Sequence, residues 1–208
     1  MNIIFEDDCL LVIDKRAGLV VDKSESQSSE TLEDILASQG VSLQRSGIVH
    51  RLDKDTSGVM VVAKTQAALE NLQSQFQMRK TKKEYLALVH GIVEKPGIVE
   101  GGIGRNPVKR EKFMVSEDGK EAVTEYSPLK NFQFPISNLH SIFNDLNKIQ
   151  MRKLEKMKYN EFTLLSCYPK TGRTHQIRVH LKYIGHPIVS DETYVGRKMY
   201  RLDHRWCP

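Results

Sequence analysis

The stretch Ile48-Val49-His50-Arg51-Leu52-Asp53-Lys54-Asp55-Thr56-Ser57-Gly58, running directly into Val59-Met60-Val61-Val62-Ala63, decides how the rest of the chain is read. Its second part is an apolar run of strand length. Its first part places a carboxylate two residues after an arginine and closes on a small polar turn. Loops that hold polar side chains at the end of a buried strand are frequent places for chemistry. Taking Asp and Arg out of water costs free energy, so a fold that keeps them beside a core pairs or uses them. A lone Arg-x-Asp is more often an incidental surface ion pair. Here a second string answers the first.

That second string is Thr171-Gly172-Arg173-Thr174-His175-Gln176-Ile177-Arg178-Val179-His180-Leu181. It predicts a helix capped by Thr174, with Ile177, Leu181 and Ile184 on one face. Gly185 is the stop and Pro187 follows it. His175, Arg178 and Lys182 fall on the opposite stripe, which is then available to a cleft. Arg178 offers a rigid guanidinium fork to a carboxylate, and Asp53 is the natural partner.

These two strings, together with Lys82-Lys83-Glu84-Tyr85-Leu86-Ala87-Leu88-Val89-His90-Gly91, resemble the RluA-type RNA pseudouridine synthases. The likeness extends to residues 5–15, to Gly104-Arg105 with residues 120–126, and to residues 185–194. It therefore covers most of the chain in order. It implies isomerisation of specific uridines to pseudouridine in structured RNA, ribosomal RNA being slightly favoured over tRNA, with no cofactor or metal. It implies an α+β fold: a mixed, largely antiparallel sheet with packed helices. Asp53 matches the family's catalytic aspartate, Arg178 the arginine that pairs with it, and Tyr85 the tyrosine beside the base. An opposite charge beside a carboxylate favours its ionised form, which a nucleophile needs. Tyr85 can stack on the uracil and accept a proton from carbon. Arg51 matches the arginine that fills the space of the flipped nucleotide. His50, Arg173 and His175 join the expected RNA-binding set, with Lys82, Lys83 and Arg105 as phosphate contacts. Asp55 is the rival carboxylate, but its place before Thr56-Ser57-Gly58 suits a turn.

The chain departs from the family pattern at two places. Arg16 stands where a proline is expected. Residues 197–208 stop where the family continues into one more core strand, so that strand is expected to be absent, with either the chain a fragment or the fold completed differently. An open sheet edge and impaired activity would follow. A catalytically impaired RNA-binding protein of the same fold is accordingly the alternative. A hydrolase using Asp and His is disfavoured, because no Ser or Cys nucleophile motif accompanies them.

A length of 208 residues fits one domain, 1–208, and 39% hydrophobic content supplies a core. The net charge of +5 suits a polyanionic partner. Cys9, Cys167 and Cys207 show neither zinc nor disulfide spacing, which indicates a reducing compartment. No secretory leader pattern opens the chain and no apolar run reaches membrane-spanning length. A cytoplasmic monomer is expected, or an organellar one if a targeting segment has been removed.

Periodicity predicts strands at 3–5, 10–13, 59–63, 84–90, 97–104, 112–116, 121–130 and 162–167, and helices at 31–39 and 65–78. Glu117-Asp118-Gly119 reads as a hairpin turn. Residues 132–160 read as a basic helical insertion: Leu139, Ile142, Phe143, Leu146, Ile149 and Met157 fall near helical spacing, and lysines crowd its second half. Its charged side reads first as a solvated face and second as an arm that touches RNA.

Overall fold

The computed structural model describes residues 1–22 and 30–207. It contains two compact units, Met1–Thr81 and Lys82–Pro208, each with its own sheet.

In the first unit, β1 (Asn2–Glu6) and β2 (Leu10–Lys15) form an antiparallel hairpin. Asp7 makes the turn: its carboxylate accepts the backbone N–H groups of Cys9 and Leu10, which hold its carboxyl below the ordinary carboxylate pKa. Helix α1 (Leu32–Ser38) opens on a reciprocal cap between Thr31 and Asp34 and buries Leu32 and Leu36. β3 (Gly58–Ala63) then pairs with β2, with Lys15 opposite Gly58. Leu11, Ile13, Met60 and Val62, on the inward positions, are buried. Gly47, in the turn before this strand, has φ +75°, and a side chain there would strike the carbonyl of Ala63. Helix α2 (Gln66–Gln77), capped by Thr65, buries Leu69.

The second unit contains β4 (Tyr85–His90), β5 (Gly97–Glu100), β6 (Ile103–Arg105), β7 (Phe113–Val115), β8 (Val123–Gln133) and β9 (Glu161–Pro169). Four of these form an antiparallel sheet in the order β4-β9-β8-β5, while β6 and β7 pair as a separate ribbon. The predicted strand 97–104 is thus two strands, broken at Gly101-Gly102. The turn at Glu117-Asp118-Gly119 does reverse the chain, but it does not pair β7 with β8. The reason is a close backbone approach: a Cβ on Gly102 would lie 2.7 Å from the carbonyl oxygen of Gly119 and 2.8 Å from that of Ser116.

Between β8 and β9 lie α3 (Ile136–Ile142) and α4 (Lys148–Lys156), the latter capped by Asn147 and Gln150. Leu139, Phe143, Met151 and Leu154 pack with Tyr159 and Phe162 in one core cluster. Helix α5 (Gln176–Tyr183) ends at Gly185, φ +88°, as expected. Its start differs from expectation. Thr174 does not cap it; His175 takes the cap position in the left-handed conformation, φ +55°. The Gln176 side chain does the anchoring instead. Its Oε1 accepts from the Arg173 N–H (3.0 Å) and the Thr171 hydroxyl (2.7 Å), and its Nε2 donates to the Val123 carbonyl (2.9 Å).

The last helix is α6 (Arg197–Asp203). The fully buried Asp203 carboxylate accepts from the Tyr159 hydroxyl at 2.6 Å and the Ser190 N–H at 2.9 Å, and lies 2.9 Å from His90 Nε2. Trp206 donates its indole N–H to the same Tyr159 hydroxyl at 3.1 Å and meets Phe162 edge-on. Burial, then the Asp203 carboxylate, push the Tyr159 phenol well above its ordinary pKa. Beyond the β4 edge of the sheet, Val189 N–H donates to the Leu88 carbonyl and His90 N–H to that of Pro187. Among the described residues, no helix is long and apolar enough to cross a membrane.

Candidate active site

The loop between the Gln44–Gly47 turn and β3 carries His50, Arg51 and Asp53. Asp53 is half-buried, and its carbonyl accepts the Thr56 N–H at 3.1 Å, which closes the turn after it. His50 accepts the Val61 N–H on Nε2 at 3.0 Å and stacks on Phe76 at 4.7 Å, so it ties the loop to β3 and α2. Arg51 is exposed; its guanidinium reaches Asp22 at 2.6 Å, and Arg45 reaches the other oxygen of the same carboxylate.

Sequence reasoning missed the residue that holds this loop from below. Lys15 is 1% exposed, and its ammonium donates to the carbonyls of Arg16 (3.0 Å), Leu19 (2.9 Å) and Lys54 (3.0 Å). One side chain thus joins the end of β2 to the residue after Asp53. Burial lowers its pKa, partly offset by the charges of Asp55 and Asp53. The only sequence signal was a lysine at the end of a strand that opens on four apolar residues.

In the second unit, Tyr85 opens β4 opposite Cys167 and packs against the cluster of Ala87, Val89, Leu165 and Leu181. Glu84 before it accepts from the hydroxyls of Ser166 and Tyr168, which lower its pKa. Lys82 is exposed and Lys83 half-buried on the approach to the strand. Arg178, on α5, presents Nε and Nη2 to the two oxygens of Asp191, both at 2.8 Å, and lies over the Tyr194 ring at 5.1 Å. Asp191 is the second residue the sequence reading missed. It also accepts the N–H groups of Thr193 and Tyr194, so one buried carboxylate shapes its own loop and fixes the guanidinium plane.

Other expected residues gather around that pair. The Tyr194 hydroxyl accepts the Phe113 N–H (3.1 Å) and lies 2.8 Å from His175 Nδ1. His175 meets Phe113 edge-on, and the Arg105 guanidinium lies 5.5 Å above the same Phe113 ring. Arg173 stands apart, donating to the Glu121 carbonyl at 3.0 Å. No group of three or more His, Cys, Asp and Glu side chains among the described residues is arranged to hold a metal ion.

The first unit thus carries Asp53 on a braced loop, and the second carries Tyr85 at the start of a strand and Arg178 held by Asp191. Comparisons with known proteins give the family. The family described as RNA pseudouridylate synthase matches residues 9–183, and the chain belongs to that family. It is 44% identical over 203 residues to an uncharacterised RNA pseudouridine synthase of Aquifex aeolicus, covering 93% of this chain and 56% of that protein. It is 43% identical over 197 residues to the ribosomal large subunit pseudouridine synthase D of Nitrosomonas europaea, covering 93% of this chain and 49% of that protein. The chain thus spans about half the length of the curated relatives it matches. Among solved structures, human RNA pseudouridylate synthase domain containing 1 superposes with a TM-score of 0.72 at 26% identity, covering 97% of this chain and 72% of that one. The family membership and the α+β fold agree with the sequence reading.

Proposed function

We propose that this protein isomerises uridine to pseudouridine in structured RNA, with Asp53 as nucleophile, Arg178 as the cation serving the reacting carboxylate, and Tyr85 as the group beside the base. The observation that carries the reading is the family match over residues 9–183, which takes in all three residues within their own sequence strings. In the reaction the N1–C1′ bond breaks and a C5–C1′ bond forms. The C5 proton leaves and N1 regains one, so no electrons are exchanged with a redox partner. Arg178 arrives at this task already oriented, because Asp191 fixes its fork. Arg51 and His50 serve the RNA strand around the target, and Lys82, Lys83, Arg105, Arg173 and His175 contact its backbone. Large-subunit ribosomal RNA is the favoured substrate, on the strength of the relatives that carry that name.

Release of tritium from RNA containing [5-³H]uridine tests the proposal directly. The protein should release tritium from unmodified large-subunit ribosomal RNA. Asp53→Asn, which keeps shape and removes charge, should abolish release while RNA affinity stays within a small factor. Full release by the variant would remove Asp53 from the chemistry. RNA binding without any release by the parent protein would establish the non-catalytic alternative.

A further inference from the structure

Helix α4 is divided cleanly between core and solvent. Met151 and Leu154 point into the cluster of Leu139, Phe143, Tyr159 and Phe162. Lys148, Arg152, Lys153 and Lys156 are exposed on the other side. At 3.6 residues per turn these four, with Ile149 among them, fall within an arc of about 140° centred opposite the buried side. Lys148, Arg152 and Lys156 form a ridge with a rise of about 6 Å between successive members.

The charge on this ridge is not internally neutralised. Each acid around the α3–α4 hairpin already has a basic neighbour: Asp145 has Arg205 at 2.6 Å, Glu155 has His140 at 3.9 Å, and Glu161 has Lys158 at 3.7 Å. None of Lys148, Arg152, Lys153 and Lys156 forms an ion pair with a described residue. Helix stability accounts for only part of the pattern. Lys153 and Lys156 stand in the last turn, where the helix dipole favours a cation. Lys148 stands in the first turn, where a cation is disfavoured and no acid offsets it. At the root of the hairpin, Phe134 is 41% exposed and stacks with Phe132, over which Lys130 lies at 5.1 Å. An accessible ring at the root of a hairpin that carries unpaired cations is the composition of a surface that holds a nucleic-acid strand. A membrane is the poorer fit, because α4 spends its apolar side on the protein core.

We propose that the α3–α4 hairpin is a second RNA-contact surface, on which Lys148, Arg152, Lys153 and Lys156 take backbone phosphates of the substrate, apart from the groups that act on the uridine. This rests on the reading that the substrate is RNA. Its role is affinity and placement, not chemistry and not base recognition.

The test compares the full protein with the triple variant Lys148→Glu/Arg152→Glu/Lys156→Glu and with the corresponding Gln triple. The probe is an unmodified large-subunit ribosomal RNA transcript, titrated over a series of salt concentrations. Each lost phosphate contact lowers the slope of log affinity against log salt by roughly 0.7–0.9. The Glu triple should therefore lose about two units of slope or more and bind at least about tenfold more weakly at low salt. The Gln triple should fall between it and the parent. KM should rise while kcat at saturating RNA and cooperative unfolding stay unchanged. An unchanged slope and KM would reduce the face to a solvated one. Loss of binding to anionic phospholipid vesicles with an unchanged RNA slope would assign it to a membrane surface; either result overturns the proposal. Absence of tritium release by the parent would defeat the assigned reaction, yet the slope comparison would still decide the hairpin.

Discussion

Two buried charged residues outside the expected site matter most at the scale of single side chains. Lys15 offers three N–H donors, and the segment after β2 and the Asp53 loop together supply three carbonyls, so no hydrogen-bonding capacity is wasted. Lys15→Met keeps the chain length and leaves those carbonyls without their ammonium. The cost should be on the order of 2–4 kcal/mol, seen as a lower urea midpoint at unchanged slope. Because Lys54 is adjacent to Asp53, turnover should fall as well. A variant with an unaltered midpoint would show that water replaces the ammonium without loss. Asp191→Asn addresses the other support. The Arg178–Asp191 pair is largely buried, with side-chain exposures of 19% and 4%, so removing its negative charge should cost about 3 kcal/mol. Turnover should drop more than RNA affinity does, because the guanidinium would lose its preset plane. Equal losses in both would mean that Asp191 only supports the loop.

Among the elements, α5 shows how a polar network can join a helix to a sheet. His180 is fully buried, 3.2 Å from the Gly101 carbonyl through Nε2 and 2.9 Å from the Thr124 hydroxyl through Nδ1. The carbonyl can only accept, so Nε2 carries the proton and Nδ1 receives the one from Thr124. Burial lowers the His180 pKa below its ordinary 6.5, opposed in part by the Gly101 carbonyl. The unfolded chain therefore binds a proton that the folded chain resists. The stability supplied by neutral His180 is complete above pH 6.5 and declines as pH falls below it toward the folded pKa. A series of denaturation midpoints should decrease below that pH, and His180→Gln should make the decrease shallower. Parallel curves for the two proteins would place the acid sensitivity elsewhere.

Across the whole molecule, what the sequence made legible was local. Thr65 before Ala68, Leu69 and Leu72 announced α2, and the apolar run after Gly58 announced β3. Local patterning cannot register a backbone approach such as that of Gly102 to Gly119, so the break between β5 and β6 and the partner of β7 stayed hidden. Thr174 carries a good capping side chain, but the Gln176 network holds the segment with His175 left-handed, and tertiary bonds outweigh a cap. Of the proposed site residues, Asp53, Tyr85 and Arg178 were marked by their strings. Lys15 reaches Lys54 across 39 positions, and Asp191 meets Arg178 from the loop after α5, pairings that helix and strand periodicity do not reveal.

Trp206 gives the molecule an optical signal of its own. It is the single tryptophan of the chain, set edge-on to Phe162 at 5.1 Å, with its indole N–H on Tyr159. Excitation at the red edge of the protein absorption therefore interrogates one ring in one place, the cluster that joins α3, α4 and α6. Emission should shift to longer wavelength when that cluster opens to water. Tyr159→Phe removes the hydroxyl that accepts from the indole, so the native spectrum should move before any unfolding occurs. Without labelling, fluorescence then reports on the root of the basic hairpin while RNA is titrated against it.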